Sequence, residues 1–532
     1  MARLLVALMG FMGAGKTTIG YLLAEKLGLP FVDIDILIEH RTRRRVVDIF
    51  ADDGEEYFRH LEHETIVETL SGPAAVVALG GGAVEHPATR AALEAVMGVH
   101  LEVSYEEALL RIGKDSLRPM MRRPDIGDIY KRRLPIYEGA AKLAVRTDAL
   151  RPEEIVLDLL GHLVAPRSVP PGSRSVLVAP MGGAHQVHIG AAIASEVDSL
   201  LPRASSIGRC FVVSSAGDRA PADALVTRLI DLAGYEPTRF DVPVGESVNH
   251  FAVVEQISTW LAASEARRDD LLIGVGGEDV CYLSGFVAST YNRGMPLALV
   301  PTTLHGQADA AVGGKNGIRL PAGGNLSGTI HQPVVVVSDV ELAAQRRGDG
   351  YRTGLAEMAK HAIIADPILL DALEEQAEQV VAGDLEVLVD LLARSTQVKA
   401  AIVTADQREQ GERIQLNYGH TFGRAFERLL PPGPDRHGDA VSLGMVAAGC
   451  LAARLGRIDR SVVEVHRRVL GRLGLPTRMS VSPEEMDDAW RRSRRSASEP
   501  RFVLLNGAGV AEGRLTADHD QLAGALADLA SG

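Results

Sequence analysis

Short apolar runs at residues 4–9, 31–33, 75–79 and 99–103 alternate with stretches of helical period through the first third of the chain. That alternation predicts βαβ units: a parallel sheet with helices on both faces, binding ligands at the carboxyl ends of its strands. The pattern resumes later, where runs at 175–178, 209–214, 271–275 and 297–300 predict the strands of a second parallel sheet. Beyond Tyr351 long Leu, Ala and Val stretches continue to Leu455 and predict a helical part. Between the two βα regions, Ala165-Pro166-Arg167-Ser168-Val169-Pro170-Pro171-Gly172-Ser173 has no apolar period and reads as a linker. The expected organisation is α/β throughout: a parallel-sheet domain at 1–165, a linker at 166–174, a second α/β domain at 175–340 and a helical domain at 341–532.

The first apolar run leads into Gly10-Phe11-Met12-Gly13-Ala14-Gly15-Lys16-Thr17-Thr18, a G-x-x-x-x-G-K-T loop between a strand and a helical pattern starting near Ile19. Glycines let backbone amides curl around a phosphate, Lys16 reaches its outer oxygens, and the Thr17 hydroxyl suits magnesium. Asp33-Ile34-Asp35 follows the second run. Alternation on a strand sends one carboxylate toward magnesium and the other toward a second substrate, with a helix N-cap at Asp35 as the alternative. Gly80-Gly81-Gly82 and, further on, Gly274-Val275-Gly276-Gly277 each follow a strand, where missing side chains allow a ligand close to the backbone.

Composition narrows the classes. At 532 residues the chain exceeds one ordinary core, and 46% hydrophobic content with only 4% aromatic residues suits α/β domains. A net charge of −13 argues against general nucleic-acid binding, which needs excess Lys and Arg. Cys210, Cys281 and Cys450 are odd in number and far apart, which points to a reducing cytoplasm, and no run reaches membrane-spanning length. The chain carries 48 arginines and 8 lysines, of which only Lys315, Lys360 and Lys399 lie beyond residue 142. A compact ammonium differs from a planar guanidinium, so these lysines stand out as candidates for chemistry. Glu357, His420 and His437 in the helical part are possible ligands of a catalytic zinc; spacing alone does not pair them, and structural roles stay open at this point.

The first third resembles shikimate kinase. The likeness rests on the phosphate loop, Asp33-Ile34-Asp35, Phe58-Arg59 with Glu62, the triple glycine, Arg118-Pro119-Met120-Met121 and Arg133-Leu134-Pro135-Ile136-Tyr137. It implies transfer of the ATP γ-phosphoryl group to the 3-hydroxyl of shikimate. Gly13, Ala14, Gly15, Lys16, Thr17, Thr18 and a lid residue, Arg118, would hold ATP, with magnesium at Thr17 and Asp33. Asp35 would bind and activate the shikimate hydroxyl, Arg59 and Arg133 would take its carboxylate, and Gly81 would line the pocket.

The remainder resembles 3-dehydroquinate synthase through Pro301-Thr302-Thr303-Leu304, Gln307-Ala308-Asp309, Gly313-Gly314-Lys315, Ala356-Glu357 with Lys360, Lys399, and Glu412-Arg413 to Asn417-Tyr418-Gly419-His420-Thr421. This implies zinc or cobalt on Glu357, His420 and His437, and an NAD reduced and reoxidised in each turnover. NAD would be held by Glu246, Gly276, Gly277, Thr302, Thr303, Asp309 and Lys315. The substrate, a seven-carbon sugar-acid phosphate, would be held by Lys315, Lys360, Lys399, Arg413 and Asn417, in a homodimer formed through this half. The chain departs from the family pattern at Glu278 and Tyr282 after the glycine pair, at Asn249 and Gly324 where lysines are expected, and at Arg424 where a second histidine is expected. Glu278 with two lost lysines would make the pyrophosphate region more negative and weaken NAD binding. Another sugar phosphate cyclase, or a non-catalytic scaffold for the kinase, are the alternatives for this half; Arg413, suited to a carboxylate, argues against the former.

Overall fold

The structure, a computed structural model, describes residues 4–112, 125–148, 150–201, 209–233, 238–242, 248–320, 323–348, 350–493 and 500–531. Arg118 and Glu246 lie outside the described residues. The chain forms two compact units, the first built chiefly from residues up to Ala165 and the second from most of the rest.

In the first unit β1 (Leu5–Met9), β2 (Phe31–Asp33), β3 (Ala75–Ala78), β4 (Met97–Glu102) and β5 (Leu143–Arg146) form an all-parallel sheet ordered β2-β3-β1-β4-β5. Val6, Ala7 and Leu8 on the central β1 are wholly buried, as a strand covered by helices on both faces requires. This order brings the carboxyl ends of β1, β3 and β2 side by side, so the phosphate loop, triple glycine and paired aspartates open on one edge.

Two local expectations are corrected. The first helix runs Lys16–Leu27 and begins before Ile19, because Gly15 at φ 87° caps it directly. Lys16 and Thr17 therefore sit in its first turn. The strand carrying Asp33 ends there, and Asp33, not Asp35, is the N-cap of helix Ile34–Thr42, accepting from the amides of Asp35 and Ile36. The two carboxylates still diverge, by a strand-to-helix switch and not by strand alternation.

In the second unit β6 (Arg174–Val178), β7 (His185–Gly190), β8 (Cys210–Ser215), β9 (Thr238–Val242), β10 (Leu271–Gly276), β11 (Leu297–Pro301) and β14 (Val335–Asp339) form a sheet ordered β6-β7-β14-β11-β10-β8-β9. It is parallel except that β6 runs antiparallel to β7, a correction to the wholly parallel expectation. The connection at 179–184 is too short for a crossover helix, so the chain turns back on itself. β12 (Lys315–Leu320) and β13 (Gly323–Ile330) make a separate antiparallel hairpin.

Helices Tyr351–Ala365, Leu385–Ala405, His420–Leu429 and Arg436–Arg454 follow, with a hairpin of β15 (Phe502–Leu505) and β16 (Ala511–Leu515) near the end. Helix Arg436–Arg454 is buried almost continuously from Gly438 to Ala452. A Cβ at Gly444 would stand 2.1 Å from the Gly419 carbonyl oxygen, so a glycine there lets the helix that starts at His420 pack against its neighbour. Among the described residues no helix is long and apolar enough to cross a membrane, and Cys210, Cys281 and Cys450 are buried free thiols.

Candidate functional site

In the first unit the phosphate loop is held open by Gly10, Gly13 and Gly15, all at positive φ. Cβ atoms at Gly10 and Gly13 would lie 2.5 and 2.7 Å from the carbonyl oxygens of Leu101 and Ala108, so only glycine permits this curl. Lys16 folds across it, donating to the carbonyls of Gly10 at 2.8 Å and Phe11 at 3.1 Å. Ala14 is buried beneath the loop, and Thr18 follows Thr17 in the first helical turn. The Thr17 hydroxyl donates to Asp33 Oδ2 at 2.9 Å, which puts a hydroxyl and a carboxylate oxygen within reach of one ion. A magnesium ion fits these groups.

The triple glycine is shaped by what surrounds it. A Cβ at Gly80 would meet Glu62 Oε1 at 2.1 Å and Asp35 Oδ1 at 3.3 Å, and one at Gly82 would fall on the Arg59 guanidinium at 2.4 Å. Gly81 is different: its nearest neighbour would be Arg133 Nη1 at 3.8 Å, and its carbonyl accepts from the Tyr137 hydroxyl. Asp35, Arg59, Gly81 and Arg133 thus surround one turn. Burial, reinforced by Asp33, raises the pKa of Asp35 against the pull of Lys16 and Arg59. Burial likewise raises Glu62 despite its bond to Arg59 Nη1 at 2.7 Å. Sequence reasoning gave no role to Glu85, which pairs with Arg133 Nη2 at 2.7 Å and Arg132 Nη2 at 3.2 Å.

In the second unit Glu357, His420 and His437 come from three separate helices and place one ligand atom each within 4.8 Å of one another. Glu357 Oε1 stands 3.6 Å from His420 Nε2 and 4.0 Å from His437 Nε2. That Oε1 is buried without a hydrogen-bond partner, whereas Oε2 takes the Lys360 ammonium. Both histidines are oriented through Nδ1, His420 toward the Tyr418 carbonyl at 3.3 Å and His437 toward Glu427 at 3.4 Å. Burial and Lys360 push His420 down to about 3, leaving a neutral imidazole, and Glu357, despite burial, is held at about 2 by Lys360. Ligands at about 2.0–2.2 Å from a tetrahedral ion stand roughly 3.3–3.6 Å apart, so the three atoms fit zinc or cobalt after a small contraction. A second group, Asp309, Glu357 and His361, is as close, but Lys360 and Lys399 already bond its carboxylates and a cation fits there poorly.

The other substrate candidates gather around these ligands. Lys399 bonds the Asp309 carboxylate and backbone oxygen, and burial lowers its pKa to about 8 against Asp309. Lys315 and Asn417 both bond Glu409, a residue sequence reasoning passed over. Arg413 is 3% exposed and donates to the carbonyls of Gln407 at 2.6 Å and Gly313 at 3.0 Å. Each lysine of the unit is matched by an internal carboxylate.

The glycine turn expected to take the dinucleotide is already occupied by a side chain. Gly276 ends β10 and Gly277 caps helix Glu278–Thr290, an N-terminus suited to phosphates. Glu278 occupies this turn: its carboxylate accepts from Thr303 Oγ1 at 3.4 Å and stands 3.7 Å from His305 Nδ1. Burial opposes both charges, yet the pair holds Glu278 at about 2 and raises His305 to about 9. His305, for which the sequence gave no signal, offsets the charge of Glu278 in this turn, while Asn249 and Gly324 leave the two expected lysine positions uncharged. Thr302 is engaged by Arg346 Nη1 at 3.1 Å. Asn249 is buried and donates to the Gly317 carbonyl at 2.8 Å, anchoring the β12 strand. Gly324 lies on β13, Tyr282 is half-buried one turn beyond Glu278, and Arg424, one turn beyond His420, adds to that histidine's depression. The glycine turn and threonines fit a dinucleotide, but Glu278 competes with its phosphates for the same helix end.

Family models place the chain. The shikimate kinase model matches residues 12–164, the 3-dehydroquinate synthase N-terminal model 239–348 and its C-terminal model 354–495. The 3-dehydroquinate synthase of Thermobifida fusca is 43% identical over 265 residues, 50% of this chain and 70% of that one. That of Symbiobacterium thermophilum is 36% identical over 323 residues, 59% and 88% of the two chains. Among solved structures, 2-deoxy-scyllo-inosose synthase complexed with carbaglucose-6-phosphate, NAD+ and Co2+ superposes with a TM-score of 0.60 at 20% identity, covering 66% of this chain and 98% of that one. The 2-epi-5-epi-valiolone synthase of Streptomyces hygroscopicus subsp. jinggangensis, with NAD+ and Zn2+ bound, gives 0.54 at 24% identity, covering 65% and 96%. At these identities the last two likenesses establish the fold.

Proposed function

The chain belongs to the 3-dehydroquinate synthase family, behind a shikimate kinase domain, and from that premise we propose which residues carry its two activities and with which cofactors. It is a bifunctional enzyme of the shikimate pathway, phosphorylating shikimate with ATP and forming 3-dehydroquinate from a seven-carbon sugar-acid phosphate.

For the kinase, at 1–165, the loop amides, Lys16 and Thr18 receive the ATP phosphates, and Thr17 with Asp33 holds a magnesium ion that neutralises charge on the transferred group. Asp35 accepts the proton of the attacking hydroxyl while Arg59 and Arg133 fix the carboxylate of shikimate. The observation that supports this is the gathering of Asp35, Arg59 and Arg133 about the triple glycine, beside the Thr17–Asp33 pair.

For the synthase, with its α/β part at 175–340 and helical part at 341–532, Glu357, His420 and His437 hold zinc or cobalt, which supplies Lewis acidity toward a substrate hydroxyl. Lys315, Lys360, Lys399, Arg413 and Asn417 bind and orient the anionic substrate, whose carboxylate and phosphate take the place of internal partners such as Glu409 and Asp309. Gly276, Gly277, Thr302, Thr303, Asp309 and Lys315 are the groups present for NAD, which would take up a hydride from the substrate and return it within the turnover. The orphaned Oε1 of Glu357 facing two histidines carries this reading. Replacing Glu357 with Gln is expected to remove the metal, measured by elemental analysis, and 3-dehydroquinate formation, measured by phosphate release. Stoichiometric metal in that variant would overturn the assignment. A cytoplasmic setting, supported by the buried free thiols, and a homodimer formed through the synthase half complete the proposal; sedimentation of the purified chain tests the latter.

A further inference from the structure

The segment directly after the triple glycine is pinned at three points. Arg90 Nη1 donates to the carbonyls of Val84 at 2.7 Å and Glu85 at 2.9 Å. Tyr137 on helix Ile126–Ala140 donates to the Gly81 carbonyl, and from the same helix Arg132 and Arg133 both reach the Glu85 carboxylate. Glycines at 80–82 offer no side chain to fix this loop, so Glu85 at the end of the short turn Ala83–Glu85 is the polar side chain that ties it to the helix.

Arg133 needs that tie. Its side chain is 3% exposed, and Pro135, inside the same helix two residues on, lacks the backbone donor that would bond back one turn. Glu85 engages Nη2 only. Arg133 Nε is buried without a partner and Nη1 faces Gly81, so the guanidinium retains unused donor capacity on a buried group beside the glycine loop. Glu85 is the carboxylate hydrogen-bonded to this buried arginine, with Glu62 a second counter-charge, and removing Glu85 takes away the cation's direct partner. The outer pair, Arg132 with Glu85, is too exposed to matter much alone.

We propose that Glu85 is a positioning residue of the kinase: by holding Arg133 Nη2 it presents the rest of the guanidinium to the substrate carboxylate. This rests on the reading of Arg133 as the carboxylate's partner. Glu85→Ala in the full chain is expected to raise KM for shikimate about tenfold, with kcat and KM for ATP within about twofold, the pattern of lost uniform binding. Glu85→Gln keeps an acceptor oxygen but not the neutralising charge and recovers only part of the loss. With shikimate methyl ester, which lacks the charged carboxylate, wild type and Glu85→Ala perform alike. Arg133→Lys separates the two readings. If it leaves KM for shikimate unchanged, the Arg133 assignment fails; if it raises KM while Glu85→Ala, folded by circular dichroism, does not, Glu85 has no positioning role. Equal rises in both KM values for Glu85→Ala overturn the proposal as well.

Discussion

Asp35 holds its proton to higher pH than an ordinary carboxylate because it is buried beside Asp33, with Lys16 and Arg59 only partly compensating. As the group that accepts the hydroxyl proton it must be ionised, so kcat/KM for shikimate is expected to fall on acidification from above the usual carboxylate range. Asp35→Asn removes that limb and roughly 100-fold or more of the rate. The stability sign is opposite: a carboxylate whose folded-state pKa is raised destabilises the fold above that pKa, because the unfolded state gives up the proton more readily. The Asn variant is thus expected to melt higher at neutral pH while losing activity. A melt below wild type at neutral pH would mean that Asp35 is structurally supported and not strained. The roles offered for Lys16 and Asp35 could be read from sequence because strand, glycines and spacing sit in a few consecutive residues. Glu85 and His305 could not, since each meets its partners through packing of segments distant along the chain, and Glu409 reaches Lys315 the same way although its other partner, Asn417, lies nearby in sequence.

Helix Glu278–Thr290 illustrates how an element reuses its own end. Its acidic first turn, Glu278 and Asp279, complements the positive helix N-terminus. Any incoming phosphate must displace a carboxylate that His305 and Thr303 already hold. NAD is therefore expected to bind weakly, requiring addition to assays, and Glu278→Gly is expected to tighten binding about tenfold, or about 1.4 kcal/mol, by calorimetry. Copurifying NAD in the wild-type protein would show that Glu278 moves aside at little cost. Element types were largely legible, because apolar runs and helical periods fall where strands and helices form. Direction and hairpins were not: β6 has the composition of any short strand, and its antiparallel course follows from a short connection and a pairing the sequence does not state. The β12–β13 hairpin escaped because Lys315-Asn316-Gly317-Ile318-Arg319-Leu320 lacks strict alternation, its Asn316 and Gly317 lying buried under Gly285 and Gly328.

At the scale of the molecule, the described kinase candidates belong to the first compact unit and the described synthase candidates to the second. Each set is internally paired: Thr17 with Asp33 and Arg133 with Glu85 in one, Lys360 with Glu357 and Lys399 with Asp309 in the other. The described candidates of each set lie within one unit, so each substitution is expected to act on the chemistry of its own unit. Lys16→Ala removes the ammonium that spans the phosphate loop and is expected to abolish shikimate phosphorylation while leaving 3-dehydroquinate formation within about twofold, since the two sets share no described residue. The reciprocal variant, Glu357→Gln, is expected to lose metal and synthase activity with phosphorylation intact. Both activities measured on each purified full-length variant, with circular dichroism to establish folding, give a two-by-two test. Loss of both activities in a folded Lys16→Ala protein would show that the halves are coupled, and that occupancy of the phosphate loop governs the synthase site.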